Sequence, residues 1–135
     1  IADVYGKSSK KTRTDPKKID SNIAAEAAKG IKLFDSGRFQ EALSIFSSIN
    51  RKMPGDYQIL LNMAFCSESL NDIDAAEKYY RASTKANPAV PEGWSGLGQV
   101  LVRKGEPDAA LRAYTRAIGL SPTTPDLFFS RGNAE

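Results

Sequence analysis

The sequence predicts an all-α solenoid: three helix-turn-helix hairpins followed by a partial fourth unit or capping helix. Three observations carry that expectation. Shifted against itself by 34 residues, the chain brings five columns of like chemistry into register. Glycine, asparagine and proline punctuate the apolar-periodic stretches at fixed places. No stretch alternates apolar and polar residues long enough to make a strand.

The columns are chemically specific. Ala42, Ala76 and Ala110 form one, and the aromatics Phe46, Tyr80 and Tyr114 another. Gly30, Ala64 and Gly98 are small throughout, Gly37, Asn71 and Gly105 suit a turn, and Pro54, Pro88 and Pro122 recur at the far end. Sustained self-similarity at such a period marks a repeat architecture. Glycine or asparagine between two helices can take the left-handed conformation that closes the first. Proline ends the second, because it has no N–H to donate and clashes with the preceding turn. Facing small residues let the two helices approach closely, and the aromatic one turn beyond the alanine fills the space beside them.

Taken in order, the elements follow these signals. A helix near 22–35 has Ser21 as its expected N-cap, and a second near 39–51 stops ahead of Pro54. The third, near 57–70, opens at Asp56 and closes at Asn71; the fourth, near 73–86, follows Asp72 and stops before Pro88. Helices near 91–104 and 107–119 carry Pro91 and Pro107 at their first positions, each beside an acidic residue that favours a helix N-terminus. A seventh is expected near Thr124, with Pro125 at its first position.

These columns carry a resemblance to the tetratricopeptide repeat family. The third unit, 91–124, has Trp94, Leu97, Gly98, Ala110, Tyr114, Ala117 and Pro122 at the family's spacing, with Leu101 where the family often has tyrosine. The second, 57–90, is looser and keeps Leu60, Met63, Ala64, Ala76, Tyr80 and Pro88. The first, 23–56, keeps Gly30, Leu33, Ala42, Phe46 and Pro54 but has Glu26 and Lys29 where large apolar residues are usual. Those departures suit an end repeat, whose outer face meets water. The resemblance covers residues 21–135 and implies a right-handed solenoid, specifying the fold far more than the function. The last eleven residues, 125–135, read as a partial fourth unit, with Gly132 continuing the Gly98 column. They are expected either to cap the stack or to begin further repeats. An uncapped end would also offer self-association through Leu127, Phe128 and Phe129.

Composition leaves little room for catalysis. There is no histidine, hence no usual general base and none of the commonest metal ligand. The single cysteine, Cys66, sits in a helical stretch between Phe65 and Ser67 and reads as a packing residue. It excludes an internal disulfide framework and leans slightly towards a cytoplasmic setting. Asp72, Asp74 and Glu77 read as acidic groups at a helix N-terminus rather than a cation site. Gly93, Gly96 and Gly98 fall within a helix of the repeat, not in a phosphate loop after a strand. No catalytic residue, metal or cofactor is expected, and no apolar run reaches the roughly 18 residues of a membrane span.

Binding is what the architecture offers, since the first helix of each hairpin lines the concave side of such a stack. The resemblance points to Ala24, Ala27, Ile31 and Phe34 from the first unit and to Gln58, Leu61, Asn62, Phe65 and Glu68 from the second. The third contributes Glu92, Ser95, Gln99, Val102 and Arg103. Ile31, Phe34, Leu61 and Phe65 either pack between helices or form an apolar strip for a peptide, with Asn62 and Gln99 available to its backbone. Some family members grip the acidic tail of a chaperone through lysines, asparagines and an arginine. Here Asn62 matches one such position, but Ala27, Ile31, Glu92 and Gly96 supply no positive charge, which disfavours that role. By family analogy, a secretion-type chaperone or an envelope assembly factor is a further possibility.

The first twenty residues differ from the rest. They hold six basic residues, Lys7, Lys10, Lys11, Arg13, Lys17 and Lys18, against three acidic ones, while the remainder is balanced at thirteen of each. With few apolar groups, residues 1–20 are expected to be a flexible basic arm, although Val4 and Tyr5 could dock on a neighbouring surface. The leading expectation is therefore a protein–protein interaction scaffold that binds a peptide or protein segment. One alternative is attachment to nucleic acid or an anionic surface through residues 7–18, weakened because no aromatics interleave the cations. Another is the recognition domain of a longer enzyme or multidomain protein.

The packing expectation is directly testable. Ala110→Leu should destabilise the protein by about 1–3 kcal/mol through overpacking. An unchanged melting temperature would contradict it.

Overall fold

Three left-handed residues set the architecture. Gly37, Asn71 and Gly105 have φ of 81°, 63° and 77°. At each, a backbone N–H reaches back across five residues: Arg38 to the Leu33 carbonyl at 2.9 Å, Asp72 to Ser67 at 2.8 Å and Glu106 to Leu101 at 2.9 Å. That bond satisfies a carbonyl otherwise orphaned at a helix end. Three equivalent turns thus make three equivalent hairpins.

The computed structural model describes residues 16–120, with side chains from residue 22 onward. It contains α1 (Pro16–Asp35), α2 (Phe39–Lys52), α3 (Tyr57–Ser69), α4 (Ile73–Ala86), α5 (Pro91–Arg103) and α6 (Pro107–Leu120). Among the described residues there is no strand, and substantial packing is confined to helices consecutive in the chain. The expected α-solenoid is the fold observed. Outside the described residues lie Val4, Tyr5 and the cations Lys7 to Arg13. So do Pro122, the helix expected near Thr124, and Leu127, Phe128 and Phe129.

Most helix ends match their sequence signals. The Asp56 carboxylate accepts from the N–H groups of Gln58 (2.9 Å) and Ile59 (3.3 Å), and Asp72 accepts from that of Ala75 (3.3 Å). Pro91 and Pro107 open α5 and α6. The first helix is a correction. It begins at Pro16 rather than at residue 22, so Ser21 lies inside it and is no N-cap, and residues 16–20 are helical. Proline at a first helical position costs nothing, because its missing N–H has no intrahelical partner there anyway.

The core falls into two clusters that share α3. Ile59, Met63 and Cys66 face the first hairpin, where they join Ile23, Ala27, Ala42, Phe46 and Ile49. Leu61 and Ala64 face the other way and join Ala76, Tyr80, Leu97, Val100, Leu101, Ala110 and Ala113. A helix covered on both flanks must be apolar nearly all round, as the run from Ile59 to Cys66 is.

Polar ties run within hairpins and, from Lys104, between them. The Ser83 hydroxyl donates to the Tyr57 carbonyl at 2.9 Å, and Lys52 Nζ lies 2.8 Å from Glu26 Oε1. Lys104 Nζ reaches back to Glu77 at 2.7 Å and Asp74 at 3.0 Å, which raises its own pKa. The bonds from Lys104 and then Arg81 hold the Glu77 carboxyl below its ordinary range. Trp94 Nε1–H donates to the Pro88 carbonyl at 2.9 Å, and the Arg116 guanidinium lies 4.8 Å from its ring centroid.

Glycines receive the aromatics. A Cβ on Gly30 would stand 2.8 Å from the Phe46 ring, and one on Gly98 2.9 Å from Tyr114. Those two contacts lie within hairpins. The tightest lies between hairpins: a Cβ on Gly96 would stand 2.3 Å from Cε1 of Tyr80, a residue only 1% exposed.

These distances rank two substitutions. Alanine gains about 1 kcal/mol over glycine in a helix interior. Gly98→Ala should be near neutral, because the half-buried Tyr114 ring can shift by a few tenths of an ångström. Gly96→Ala should lose about 1–3 kcal/mol, because Tyr80 has nowhere to go. Thermal melts of both variants check the order; equal melting temperatures would contradict the interlock.

Candidate protein-binding groove

The first helices of the three hairpins enclose a cleft of about 540 Å³. Phe34 of α1 forms one wall, Phe65, Glu68 and Ser69 of α3 the middle, and Glu92, Ser95, Gly96 and Gln99 of α5 the other wall. Tyr80 of α4 closes the bottom.

That floor is built from the inside out. Gly96 leaves space for the Tyr80 ring, which meets Phe65 edge-on with centroids 6.1 Å apart. Its hydroxyl donates to Glu68 Oε1 at 2.6 Å. Burial first, then the bond to Glu68, push the Tyr80 phenol well above its ordinary range, so it stays protonated and donating. The other carboxylate oxygen of Glu68 lies 4.0 Å from Arg103 Nη1, and Arg103 Nη2 donates to Asn71 Oδ1. Residues from α3, α4 and α5 therefore meet in one chain of polar contacts at the cleft's edge.

The residues expected to face the groove divide. Phe34, Phe65 and Gln99 line the cleft together, with Glu68, Glu92 and Ser95. Arg103 stands at the rim, held by Glu68 and Asn71. Val102 is 55% exposed but outside the lining, as is half-buried Gln58. Ile31 is partly buried against the first core cluster, as is Ala24, and Ala27 is fully buried.

Leu61 and Asn62 are corrections. They are 3% and 0% exposed and lie outside the cleft's lining. The cause is α3's position between two cores, which covers positions that an end helix would leave open. Asn62, the one residue matching the chaperone-tail clamp, is therefore enclosed in the protein. Sequence reasoning missed Tyr80 and Ser69 as lining residues. For Tyr80 the signal was Gly96, a second glycine two residues before the Gly98 column.

Other chemistry-bearing groups are occupied structurally. Cys66 is fully buried, and burial pushes its thiol up to about 12, far from a reactive thiolate. Asp72 caps α4, while Asp74 and Glu77 pair with Lys104. Among the described residues, no group of three or more potential ligands is placed to hold a metal ion, and no helix is long and apolar enough to cross a membrane.

Comparison with known proteins places this geometry in context. Tetratricopeptide repeat models match residues 33–100 and 91–124. Human tetratricopeptide repeat protein 7A is 27% identical over 94 residues, which is 70% of this chain but 11% of that protein. The chain thus spans about a tenth of that relative's length. Among solved structures, the Yersinia enterocolitica type III secretion chaperone SycD in complex with a peptide of the translocator YopD superposes with a TM-score of 0.76. It is 17% identical, over 84% of this chain and 86% of that one. PcrH in complex with the chaperone-binding region of PopD gives a TM-score of 0.77 at 19% identity, over 85% and 88%. At such identities the likeness establishes the fold.

The Tyr80–Glu68 bond generates a two-part prediction. Tyr80→Phe removes a hydrogen bond to a charged group and should lower stability at pH 7 by about 1.5–3 kcal/mol. A phenol whose pKa is raised on folding contributes stability present below its unfolded value, about 10, and lost as pH rises beyond it. The variant should therefore lose less stability than the parent above pH 10, with part of the decline kept because the Tyr57 phenol is also raised. Denaturant titrations at pH 7 and at alkaline pH check both parts; parallel stability curves would contradict the assignment.

Proposed function

The chain belongs to the tetratricopeptide repeat family, and from that premise we propose that it is a binding scaffold, holding a peptide segment of another protein in the cleft between Phe34 and Gln99. The observation that carries this reading is the cleft itself. Its size, about 540 Å³, falls within the range of ligand pockets, and it combines partly exposed phenyl rings with hydroxyl and amide groups. Phe34 and Phe65 can take up an apolar side chain, while Ser69, Ser95 and Gln99 add hydroxyl and amide groups able to pair with a peptide backbone.

The energetics are adequate. A large apolar side chain buried between the rings contributes about 1.5–3 kcal/mol before ordering costs. Two or three such anchors with a few polar contacts bring micromolar binding, about −8 kcal/mol, within reach. SycD, solved with a peptide of the translocator YopD, and PcrH, solved with the chaperone-binding region of PopD, share the fold, and that supports a peptide as occupant. The reading is non-enzymatic, and the repeat scaffold supports it.

Site-specific photo-crosslinking tests the proposal. A benzoyl-phenylalanine at position 99, inside the cleft, should crosslink a defined segment of one protein in an extract of the source cells. The same group at position 111 on α6, where Leu111 is 66% exposed, should not. Equal crosslinking from both positions would overturn the proposal.

A further inference from the structure

The charge of the cleft says what kind of segment it takes. Of its lining residues, Glu68 and Glu92 are carboxylates and none is a cation. Arg103 stands at the rim, but its guanidinium is engaged by Asn71 and lies 4.0 Å from Glu68. Glu92 is exposed, and no ion pair among the described residues involves it. At the N-terminal end of α3, Asp56 and then Glu92 add to the rise that burial gives the Tyr57 phenol. The apolar character is equally local: Phe34 and Phe65 are half-buried, each braced by a second ring, at 5.0 Å by Phe39 and 6.1 Å by Tyr80. Phenyl rings held in place in a cleft that also exposes the Glu92 carboxylate form a two-part recognition surface.

We infer that the cleft selects segments in which a large apolar side chain is flanked by lysine or arginine, the apolar group seated against Phe34 and Phe65 and the cation against Glu92. This rests on the groove reading above and deepens it. Complementary charge steers encounter and fixes register, while an acidic segment meets like charge with no cation in the lining to offset it. Glu92 contributes most, because among the described residues no ion pair competes for it; Glu68 is already shared with Tyr80 and Arg103. The interaction weakens with salt, since Glu92 is in contact with solvent.

The test is selection from a random heptapeptide display library on the full chain, keeping peptides that the uncharged variants Phe65→Ala and Gln99→Trp both lose. Gln99 is exposed, so its substitution leaves the fold intact if Phe65→Ala perturbs it. The expected result is enrichment of Lys or Arg within two residues of Phe, Leu, Ile or Trp. Synthetic copies of the enriched peptides should bind at least about tenfold more weakly to Glu92→Lys, a loss of about 1.4 kcal/mol. Groove-dependent peptides of neutral or acidic character would overturn this inference and leave the groove reading standing. An absence of any groove-dependent peptide would overturn both. If groove-dependent binding emerged only after removal of residues 1–15, the occupant would be this chain's own basic segment and the external partner would be refuted. Concentration-dependent light scattering abolished by Gln99→Trp would likewise assign the cleft to a second copy and refute it.

Discussion

One ring holds the groove together. Tyr80 leaves α4, occupies the space that Gly96 vacates on α5, and hydrogen-bonds Glu68 on α3. It joins two hairpins and is also the floor of the cleft, so the surface offered to a ligand cannot be separated from the packing between repeats. The equivalent aromatics, Phe46 and Tyr114, meet their glycines inside a hairpin. Among the described residues, Tyr80 is the aromatic whose glycine lies on the next hairpin. A side chain with that much burial and a charge-assisted hydrogen bond fixes the spacing of α3 and α5, and with it the width of the cleft.

The rest follows from the way a solenoid distributes its core. Each hairpin packs only on its chain neighbours, so stability accrues unit by unit and the middle unit works hardest. Helix α3 has partners on both flanks, which explains its nearly unbroken apolar face and the burial of Cys66 without any chemical role. Polar ties such as Lys104 with Glu77 and Asp74 sit at the edges of the same interfaces. Being solvent-exposed, they orient neighbouring units more than they stabilise them.

Much of this fold was legible because one physical constraint was written three times. A left-handed closure needs glycine or asparagine, a close helix crossing needs a small residue, and a gap beside it needs an aromatic; a shift of 34 aligns all three. The start of α1 was not legible, because Pro16 and Ser21 are both plausible N-terminal signals and only one is used. Nor did the turn glycine Gly55, with φ of 86°, belong to any column. The groove was legible by halves. Phe34, Phe65 and Gln99 follow from which helix lines the inside, but Leu61 and Asn62 depend on how deeply α3 sits between its neighbours. Tyr80 escaped because second helices are expected to face outward, and only the extra glycine on α5 hints at the exception.

What this chain offers is an acidic and partly aromatic cleft on a repeat scaffold, and the proposal is that its function resides in that surface. An amide chemical-shift titration of the labelled protein with a library-selected heptapeptide examines that idea at residue level. The largest shifts should fall on Phe34, Phe65, Ser95, Gly96 and Gln99 and leave the outer face of α6 unmoved. Shifts concentrated instead on Leu111, Arg112 and Thr115, with the cleft residues silent, would show that the binding surface lies on the opposite side of the molecule.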